Sequence, residues 1–369
     1  MAAPGRLHTA NSLILPIKYC TSHLAGKELG LGKRITIKDV AEDTGLSIAA
    51  VSYVLNDKEG VRPETRELVL SAVERLGYVP NYTARGLASH RSRLIGVCSP
   101  QTEPGSKLMF DNPFYSKLFS SIEYECRQEG YHVIVSGTDA DESFLKLAQQ
   151  RSLDGMIIVG SYSKEFYKDL KKANMPVVLV DTYQNTEKFH EVRIDDRKGG
   201  YMATQYLLEL GHRNIAFVSG TLRDQGVTQL RFEGYRRALE ESNIPYRKEL
   251  VFPGVVSFES GMESAERVLS QKNDITAMFC TADILAVGAL KKALEMGRKI
   301  PDDLSIMGFD NLNISEYTSP SITTVGQDIE LKGKLAVEII LDDINNLEKE
   351  PRCIVLPLEI VERQSTRRI

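Results

Sequence analysis

The 369-residue chain is long enough for a small domain and a large one, and its 42% apolar and 26% charged residues are typical of a protein that buries a core. A formal net charge of −4 excludes binding of nucleic acid through gross charge, and no apolar run is long enough for a transmembrane helix. The five cysteines are scattered without a paired short spacing, which excludes a disulfide framework or zinc site and favours the reducing cytoplasm.

Residues 1–33 precede the first periodic segment. They show no clear hydrophobic period, so we expect an extension that is disordered. The apolar stretch LILPI is too short, and too interrupted by Pro16, to be a secretion signal.

Two short amphipathic helices joined by a tight turn are predicted between residues 35 and 56. Thr36 and Asp39 have the spacing of a capping box, Gly45 suits a left-handed turn, and Ser47 suits the cap of the second helix. Such a helix-turn-helix places the exposed start of its second helix in the major groove of DNA. The alternative for these residues alone is an ordinary helical hairpin from a bundle.

A third amphipathic helix is predicted over residues 61–78, with Pro63 in its first turn and Gly77 at its end. Pro80 then stops any helix, and a helix within residues 80–93 would be marginal alone because it is so short. On the residues alone, this segment is a plain flexible linker.

The ordered motifs from Thr36 to Ala88 closely resemble the lactose-repressor (LacI/GalR) family of bacterial transcription regulators; they are TIKDVA, GLS, VSYVLN, PETRELV and RLGYVPNYTARGLA. The resemblance implies a homodimeric repressor that binds palindromic double-stranded operator DNA. It implies in addition that the linker is a hinge helix that orders on the operator and wedges Leu87 into the minor groove. The residues expected to contact DNA are Thr36, Lys38, Ser47, Ile48, Ala49, Ala50, Ser52, Tyr53, Asn56, Asn81, Ala84, Leu87 and Ala88.

The predicted reading helix starts with the apolar residues Ile48, Ala49 and Ala50, and Tyr53 stands where relatives often have Arg or His. A tyrosine makes one hydrogen bond or an apolar contact with a thymine methyl group, whereas Arg reads guanine with two hydrogen bonds. We therefore predict an AT-containing palindrome with a deformable central step.

From Leu94 onward, short apolar runs alternate with amphipathic helical segments. This alternation is typical of buried parallel sheets with helices on both faces, and the length suits two sheets. The predicted strands are LIGVCS (94–99), HVIVSG (132–137), GMIIVG (155–160), PVVLVD (176–181), IAFVSG (215–220), TAMFC (276–280) and LSIMGFD (304–310).

This second region also resembles the family, on DNPFYSKLFSSIE, ELGHRNIAFVSG, LRFEGYRRAL, IPDDLSIMGFDN, SITTVGQD and VERQST. The resemblance implies a small all-α helix-turn-helix headpiece followed by an α/β two-lobed periplasmic-binding-protein-like domain with parallel sheets. The predicted domains are an extension (1–33), the headpiece (34–79), the hinge (80–92), and an effector-binding and dimerisation domain (93–369) with an N-lobe (about 93–193 and 328–355) and a C-lobe (about 194–327 and 356–366).

Ligands of open parallel sheets bind beyond the carboxyl ends of the strands. Asp181, Asp283 and Asp310 follow predicted strand ends, where a carboxylate either accepts hydrogen bonds from sugar hydroxyls or caps a helix. Asp310 and Arg231 match effector-contact positions of the family, whereas Asn112, Asp181 and Asp283 are left open between the two roles. The candidate effector contacts are Asn112, Phe114, Tyr115, Asp181, Arg231, Phe258, Asp283 and Asp310.

Two departures from the family pattern affect the predicted effector pocket. Val256 stands where relatives commonly place a stacking aromatic, with Phe258 nearby, and Ala282 stands where many relatives carry Asn. Both changes alter the pocket wall, so the effector cannot be read off a relative. We expect a sugar, with a purine or a phosphorylated carrier protein as alternatives.

Two other classes of protein fit the sequence less well. A solute-binding protein of sugar transport would need a secretion signal, which residues 1–33 do not supply, and would have no use for residues 35–89. An α/β enzyme is disfavoured because the six histidines have no metal-binding spacing and no GxSxG motif occurs. We therefore expect a cytoplasmic regulator with no catalytic residue, metal or cofactor and no membrane partner.

Overall fold

The computed structural model describes residues 35–56, 58, 60–79, 91–100, 112–138, 143–183, 188–271, 274–345 and 350–369. The chain forms two compact units that divide between Asn81 and Tyr82. The extension 1–33 and the hinge positions Asn81, Ala84, Leu87 and Ala88 lie outside the described residues, so the expectations for them stay predictions.

The first unit is a headpiece of helices α1 (Ile37–Thr44), α2 (Ile48–Leu55) and α3 (Pro63–Leu76). Gly45, with a φ of 65°, ends α1 in the left-handed conformation that glycine adopts without strain. The guanidinium of Arg75 on α3 forms a two-point ion pair with the carboxylate of Asp43 on α1. The apolar faces of the helices meet in a small core of Val40, Ala41, Val51, Val54, Val69 and Ala72.

The second unit contains two six-stranded sheets, one for each lobe. The N-lobe strands are β1 (Leu94–Pro100), β2 (His132–Thr138), β3 (Gly155–Val159), β4 (Val177–Val180), β5 (His190–Ile194) and β11 (Cys353–Leu356). The C-lobe strands are β6 (Ile215–Gly220), β7 (Val251–Gly254), β8 (Ala277–Cys280), β9 (Ser305–Asp310), β10 (Thr323–Gln327) and β12 (Leu358–Val361).

The strand orders are β11-β5-β4-β3-β1-β2 and β12-β10-β9-β8-β6-β7. Within the described ranges, every strand pair is parallel except β10–β12, which is antiparallel. The chain passes between the sheets after β5, after β10 and after β11, so the residues at these crossings lie next to both lobes. The carboxyl ends of the parallel strands are the expected place for a ligand.

Helices cover both sheets, as the alternating sequence pattern predicts. The N-lobe carries α4 (Pro113–Gln128), α5 (Ser143–Arg151), α6 (Lys164–Leu170) and α12 (Ile329–Asn345). The C-lobe carries α7 (Asp196–Glu209), α8 (Val227–Glu241), α9 (Phe258–Ser270), α10 (Asp283–Glu295) and α11 (Asn313–Tyr317).

Two glycines let α7 and α8 cross with their backbones in contact. A Cβ atom at Gly200 would lie 2.0 Å from the carbonyl oxygen of Arg231, and one at Gly234 would lie 2.1 Å from that of Arg197. Because no side chain separates these helices, Asp196 at the start of α7 lies beside the Arg231 side chain of α8.

Among the described residues, no helix is both long enough and apolar enough to cross a membrane. In that same part of the chain, no group of three or more His, Cys, Asp or Glu side chains is arranged to hold a metal ion.

Candidate nucleic-acid interface and effector cleft

The two helices of the helix-turn-helix are capped as their sequences predict. The Thr36 N–H donates to Oδ2 of Asp39 at 2.7 Å, and the Thr36 hydroxyl donates to the same oxygen at 2.6 Å. The Ser47 hydroxyl oxygen accepts from the Ala50 N–H at 3.2 Å. The caps fix where each helix begins. The negative charge of Asp39 also interacts favourably with the positive, N-terminal end of the α1 dipole.

The face of α2 opposite its buried Val51 and Val54 points to solvent. Ile48 is 45% exposed and Tyr53 is 52% exposed, although both are large apolar side chains. Ala49 is exposed as well, and Ala50 is half-buried. Exposed apolar side chains in a row on a short helix fit the predicted methyl contacts in the major groove.

The remaining predicted headpiece contacts surround this face. Thr36, Lys38 and Ser47 are exposed, whereas Ser52 is half-buried. The Asn56 side-chain amide donates to the Ser52 carbonyl at 2.8 Å and to its hydroxyl at 3.2 Å, so these two side chains are bonded to one another. DNA contact by all of these residues stays a prediction.

Lys58 is a headpiece residue that the sequence reasoning missed. Its Nζ lies 4.9 Å from the centre of the Tyr53 ring, which is within the range of a cation–π interaction. Lys58 follows the end of α2, so no helical periodicity marks it in the sequence. A cation beside Tyr53 has the charge that suits a DNA phosphate.

A buried ion pair lies at the carboxyl end of β4. Nζ of Lys332, on α12, donates to the two carboxylate oxygens of Asp181 at 2.7 and 2.8 Å. It also donates to Oε1 of Gln327 at 2.6 Å. Lys332 is 0% and Asp181 is 6% exposed, so this ion pair is removed from water. Each charge is therefore stabilised mainly by its partner, and loss of either residue would leave a buried charge without compensation.

The polar contacts continue into the C-lobe. The Gln327 amide donates to Oδ1 of Asp310 at 2.7 Å, and Nη1 of Arg231 lies 3.7 Å from the same oxygen. Nε of Arg231 donates to Oδ1 of Asp196 at 2.6 Å. We call this connected set the cleft network: Asp181, Lys332, Gln327, Asp310, Arg231 and Asp196.

Arg231 is held on several sides. Its guanidinium carbon lies 3.5 Å from the centre of the Phe309 ring, and Nη1 donates to the Thr281 carbonyl at 2.5 Å. The carboxylate of Asp196 also contacts the Tyr183 hydroxyl, which comes from the N-lobe. A planar guanidinium fixed in this way presents its donors in one defined direction.

Burial shifts the protonation of several cleft groups. It raises the pKa of Asp310 to about 6, although the Arg231 guanidinium opposes the shift. Burial also raises the pKa of Tyr115 well above its usual range, and the carboxylates of Asp181 and Asp310 raise it further. The Tyr115 phenol therefore stays neutral beside two carboxylates.

Two cleft carboxylates sit on strained backbone. Asp181 has a φ of 53° and Asp310 has a φ of 111°, and residues other than glycine rarely adopt such positive values. Each lies at the carboxyl end of a parallel strand. Such strain is concentrated at functional sites, where surrounding contacts hold it in place.

Phe114 and Tyr115, two of the predicted effector contacts, lie next to one another on α4. The Phe114 ring centre lies 5.5 Å from Lys332 Nζ and 5.2 Å from the Tyr115 ring centre. Asn112 uses its side-chain oxygen to accept from the Phe114 N–H at 3.0 Å, which makes it the cap of α4.

Asp283 and Phe258, two of the predicted effector contacts, make contacts within the C-lobe, and effector contact by either residue stays a prediction. Asp283 is 0% exposed, and its two oxygens accept from the Leu312 N–H and the Thr324 hydroxyl, each at 2.7 Å. Both oxygens are thus bonded within the C-lobe. Phe258 packs against the apolar cluster of α9 and α10 because it lies at the first position of α9.

Half of the cleft network was missed in the sequence: Lys332, Gln327 and Asp196. Lys332 had a usable signal, because it occupies a position of the apolar stripe formed by Ile329, Gly333 and Ala336. A lysine in such a stripe is buried only when it is paired. Its partner Asp181 lies 151 positions away, which no local pattern reveals.

Comparisons with known proteins match both units. The model of the bacterial regulatory proteins of the lacI family matches residues 36–81, and a periplasmic binding protein-like domain matches residues 204–366. Catabolite control protein A of Priestia megaterium is 36% identical over 338 residues, covering 90% of this chain and 99% of its own length. The HTH-type transcriptional repressor PurR of Photorhabdus laumondii is 34% identical over 338 residues, covering 89% and 96%.

Solved structures are similar to this chain over most of its length. The lac repressor dimer bound to operator and the anti-inducer ONPF has a TM-score of 0.80 at 27% identity, covering 91% of this chain and 100% of its own. A complex of the transcriptional regulator CelR with cellobiose has a TM-score of 0.67 at 28% identity, covering 90% and 100%. Relatives that are more than 30% identical align with this chain over nearly their full length. This chain therefore belongs to the lacI family of bacterial regulatory proteins and is a DNA-binding transcription regulator.

Proposed function

We propose that this chain is a dimeric repressor of bacterial carbohydrate-metabolism genes, controlled by a neutral sugar that binds in the cleft between its lobes. It acts in the cytoplasm on a palindromic operator, and it catalyses no reaction. The observation that carries the choice of effector is the cleft network, with its alternating carboxylates and cations at the carboxyl ends of the strands.

The charges of the cleft network favour a neutral ligand. Three carboxylates, Asp181, Asp196 and Asp310, stand against two cations, Lys332 and Arg231. An anionic effector would add a further negative charge to this excess. Sugar hydroxyls both donate and accept hydrogen bonds, so they can pair with either sign without disturbing the balance.

The aromatic wall and the relatives support the same choice. Phe114 and Tyr115 offer apolar surface to a sugar face. One similar regulator was solved with cellobiose, and a LacI-family regulator from Enterococcus faecium, 31% identical, was solved with ribose. The likeness to PurR supports a purine as the second candidate, because flat aromatic rings also suit a base.

The headpiece contacts DNA through the exposed face of α2 and the residues around it. The hinge residues Asn81, Ala84, Leu87 and Ala88 complete the contact when two chains pair on the operator. Effector binding shifts the lobes and so changes the spacing of the paired hinges. A roughly 100-fold change in operator affinity corresponds to about 2.7 kcal/mol of coupling.

Thermal unfolding of the full chain with cellobiose, D-ribose, glucose 6-phosphate and hypoxanthine tests the choice of effector. We expect a neutral sugar to raise the melting temperature, because a ligand that binds only the folded state stabilises it. The increase should disappear in Asp310→Asn. It should persist in Asp302→Asn, which changes a carboxylate on the surface.

If only hypoxanthine raised the melting temperature, the effector would be a purine and the proposal of a sugar would be wrong. A shift with glucose 6-phosphate alone would contradict the charge argument.

A further inference from the structure

Helix α12 begins in the cleft. Its first turn carries Lys332, whose Nζ is bonded to Asp181 and Gln327. The whole helix has 17 residues and ends at Asn345. At 1.5 Å per residue, its last turn lies about 20 Å from Lys332.

The last turn of α12 accepts hydrogen bonds from Arg91, which belongs to the predicted hinge segment 80–92. Nη1 of Arg91 donates to Oδ1 of Asn345 at 2.9 Å, and Nη2 donates to the Ile344 carbonyl at 3.0 Å. Arg91 thus bonds to the carboxyl end of α12 at the point where the chain enters the N-lobe.

A second, indirect connection runs from α12 through Asp154 to residues 92 and 93. The carboxylate of Asp154 accepts from the Ser92 N–H at 2.8 Å and from the Arg93 N–H at 2.9 Å. Asp154 precedes Gly155, where a Cβ atom would lie 2.8 Å from Cδ1 of Ile340 on α12. The helix therefore packs directly against the residue next to the acceptor.

Tight packing keeps α12 from absorbing a displacement of its first turn. A Cβ atom at Gly333 would lie 2.6 Å from Oγ of Ser121 on α4, and that hydroxyl donates to the Glu330 carbonyl at 2.8 Å. Close-packed interiors transmit strain because they leave no free volume in which a helix can bend. The start of α12 is therefore held closely against α4.

We propose that α12 transmits the state of the cleft to the hinge, with Lys332 as the sensing residue and Arg91 as the residue that positions the hinge. An effector that changes the Asp181–Lys332–Gln327 bonds moves α12, and the movement changes how residues 91–93 are held. This inference rests on the proposed function, since it describes how the same cleft controls DNA binding.

Amide hydrogen exchange of the full chain tests the transmission without an effector or DNA. In Asp181→Asn/Lys332→Met, which removes the cleft ion pair as a whole, we expect the peptide containing Ser92 and Arg93 to exchange at least about threefold faster. Peptides from β6, in the other lobe, should keep their rates. Arg91→Ala should accelerate the same 92–93 peptide by itself.

The matched control is Arg368→Ala. Nη1 of Arg368 donates to the Glu209 carbonyl at 2.9 Å, so it too donates to a carbonyl in the last turn of a helix, but that helix is α7. The control should leave the 92–93 peptide unchanged. If the double variant does not fold, Lys332→Arg keeps the charge and changes the geometry, and we expect the same direction with a smaller change.

Faster exchange around residue 332 with unchanged exchange at 92–93 would overturn the transmission. The proposed function would survive that result if cellobiose or D-ribose still raised the melting temperature. If no compound of the thermal panel bound, the proposed effector would fail, and the exchange result would still decide the role of α12.

Discussion

The headpiece and the cleft hold their functional side chains in opposite ways. On α2, Ile48 and Tyr53 are about half exposed, and the fold of the headpiece depends on other residues. In the cleft, Lys332 is 0% and Asp310 is 3% exposed, and each charge is held by a neighbour. A surface that meets DNA can therefore change without loss of stability, whereas a cleft built from buried charges links recognition to folding.

The largest expected effect is on the stability of the cleft. Asp196→Ala removes the partner that bonds to Nε of Arg231 and leaves that buried cation with only the more distant carboxylate of Asp310, 3.7 Å from Nη1. Breaking a buried ion pair in this way costs about 3–5 kcal/mol of unfolding free energy. Urea unfolding followed by circular dichroism measures the change.

The control for this variant is Arg237→Ala, which breaks the exposed i,i+4 pair with Glu241 on the same helix as Arg231. Its loss should be far smaller, because water screens exposed charges. Equal losses for the two variants would remove the distinction between buried and surface charges.

The two regions should also respond to pH in opposite directions. The hydrogen bond from Arg75 lowers the pKa of Asp43 in the headpiece, so its stabilisation is present at neutral pH and is lost as pH falls through the lowered value. Burial raises the pKa of Asp283 to about 8 and that of Asp310 to about 6. Their stabilisation is present below the ordinary value near pH 4 and is lost as pH rises through those values.

Region-resolved hydrogen exchange, corrected for intrinsic rates, separates the two responses. As the pH falls from about 8 to about 5, the second unit should become more stable, by at most about 1.4 kcal/mol per pH unit for each carboxyl group. The headpiece should lose stability only in stronger acid. Asp283→Asn should flatten the alkaline part of the core profile. An unchanged slope in that variant would show that Asp283 is not the titrating group.

A smaller effect is expected on base reading. Tyr53→Ala should weaken binding to the selected operator by about 1 kcal/mol, roughly fivefold, because one tyrosine contact is weaker than a bidentate pair. Melting temperature should not change, since Tyr53 lies outside the headpiece core. Tyr124→Ala is the matched control, because both tyrosines are 52% exposed and Tyr124 lies on α4 of the second unit, outside the headpiece.

Anisotropy titrations with the selected duplex and with a scrambled duplex measure this effect. Equal weakening on both would mean that Tyr53 contributes no base discrimination.

The fold class and the family were predictable because the relevant signals are local. Caps and turn residues such as Thr36, Gly45 and Ser47 fix the headpiece, and each of the predicted apolar runs overlaps a strand. Of the strands that were not predicted, β5 and β10 lack a continuous apolar run. In β5, for example, buried and half-buried residues alternate, and in β10 threonine and glutamine interrupt the pattern.

The cleft was less predictable because its contacts join distant parts of the chain. The strand-end carboxylates Asp181 and Asp310 could be selected from their positions, but their partners Lys332 and Gln327 could not. Asp283 follows a strand end in the same way, yet it bonds to Leu312 and Thr324. Position at a strand end thus identifies candidate carboxylates, but the partners that each one bonds to come from parts of the chain that no local pattern connects.

The central claim is that occupancy of the cleft controls operator binding, and one titration tests it directly. The full chain is titrated against a palindromic duplex selected from random DNA, at fixed salt, with and without the neutral sugar that raises its melting temperature. We predict a change in operator affinity of roughly 100-fold, about 2.7 kcal/mol. A sugar that stabilises the chain while leaving operator affinity unchanged would contradict the claim.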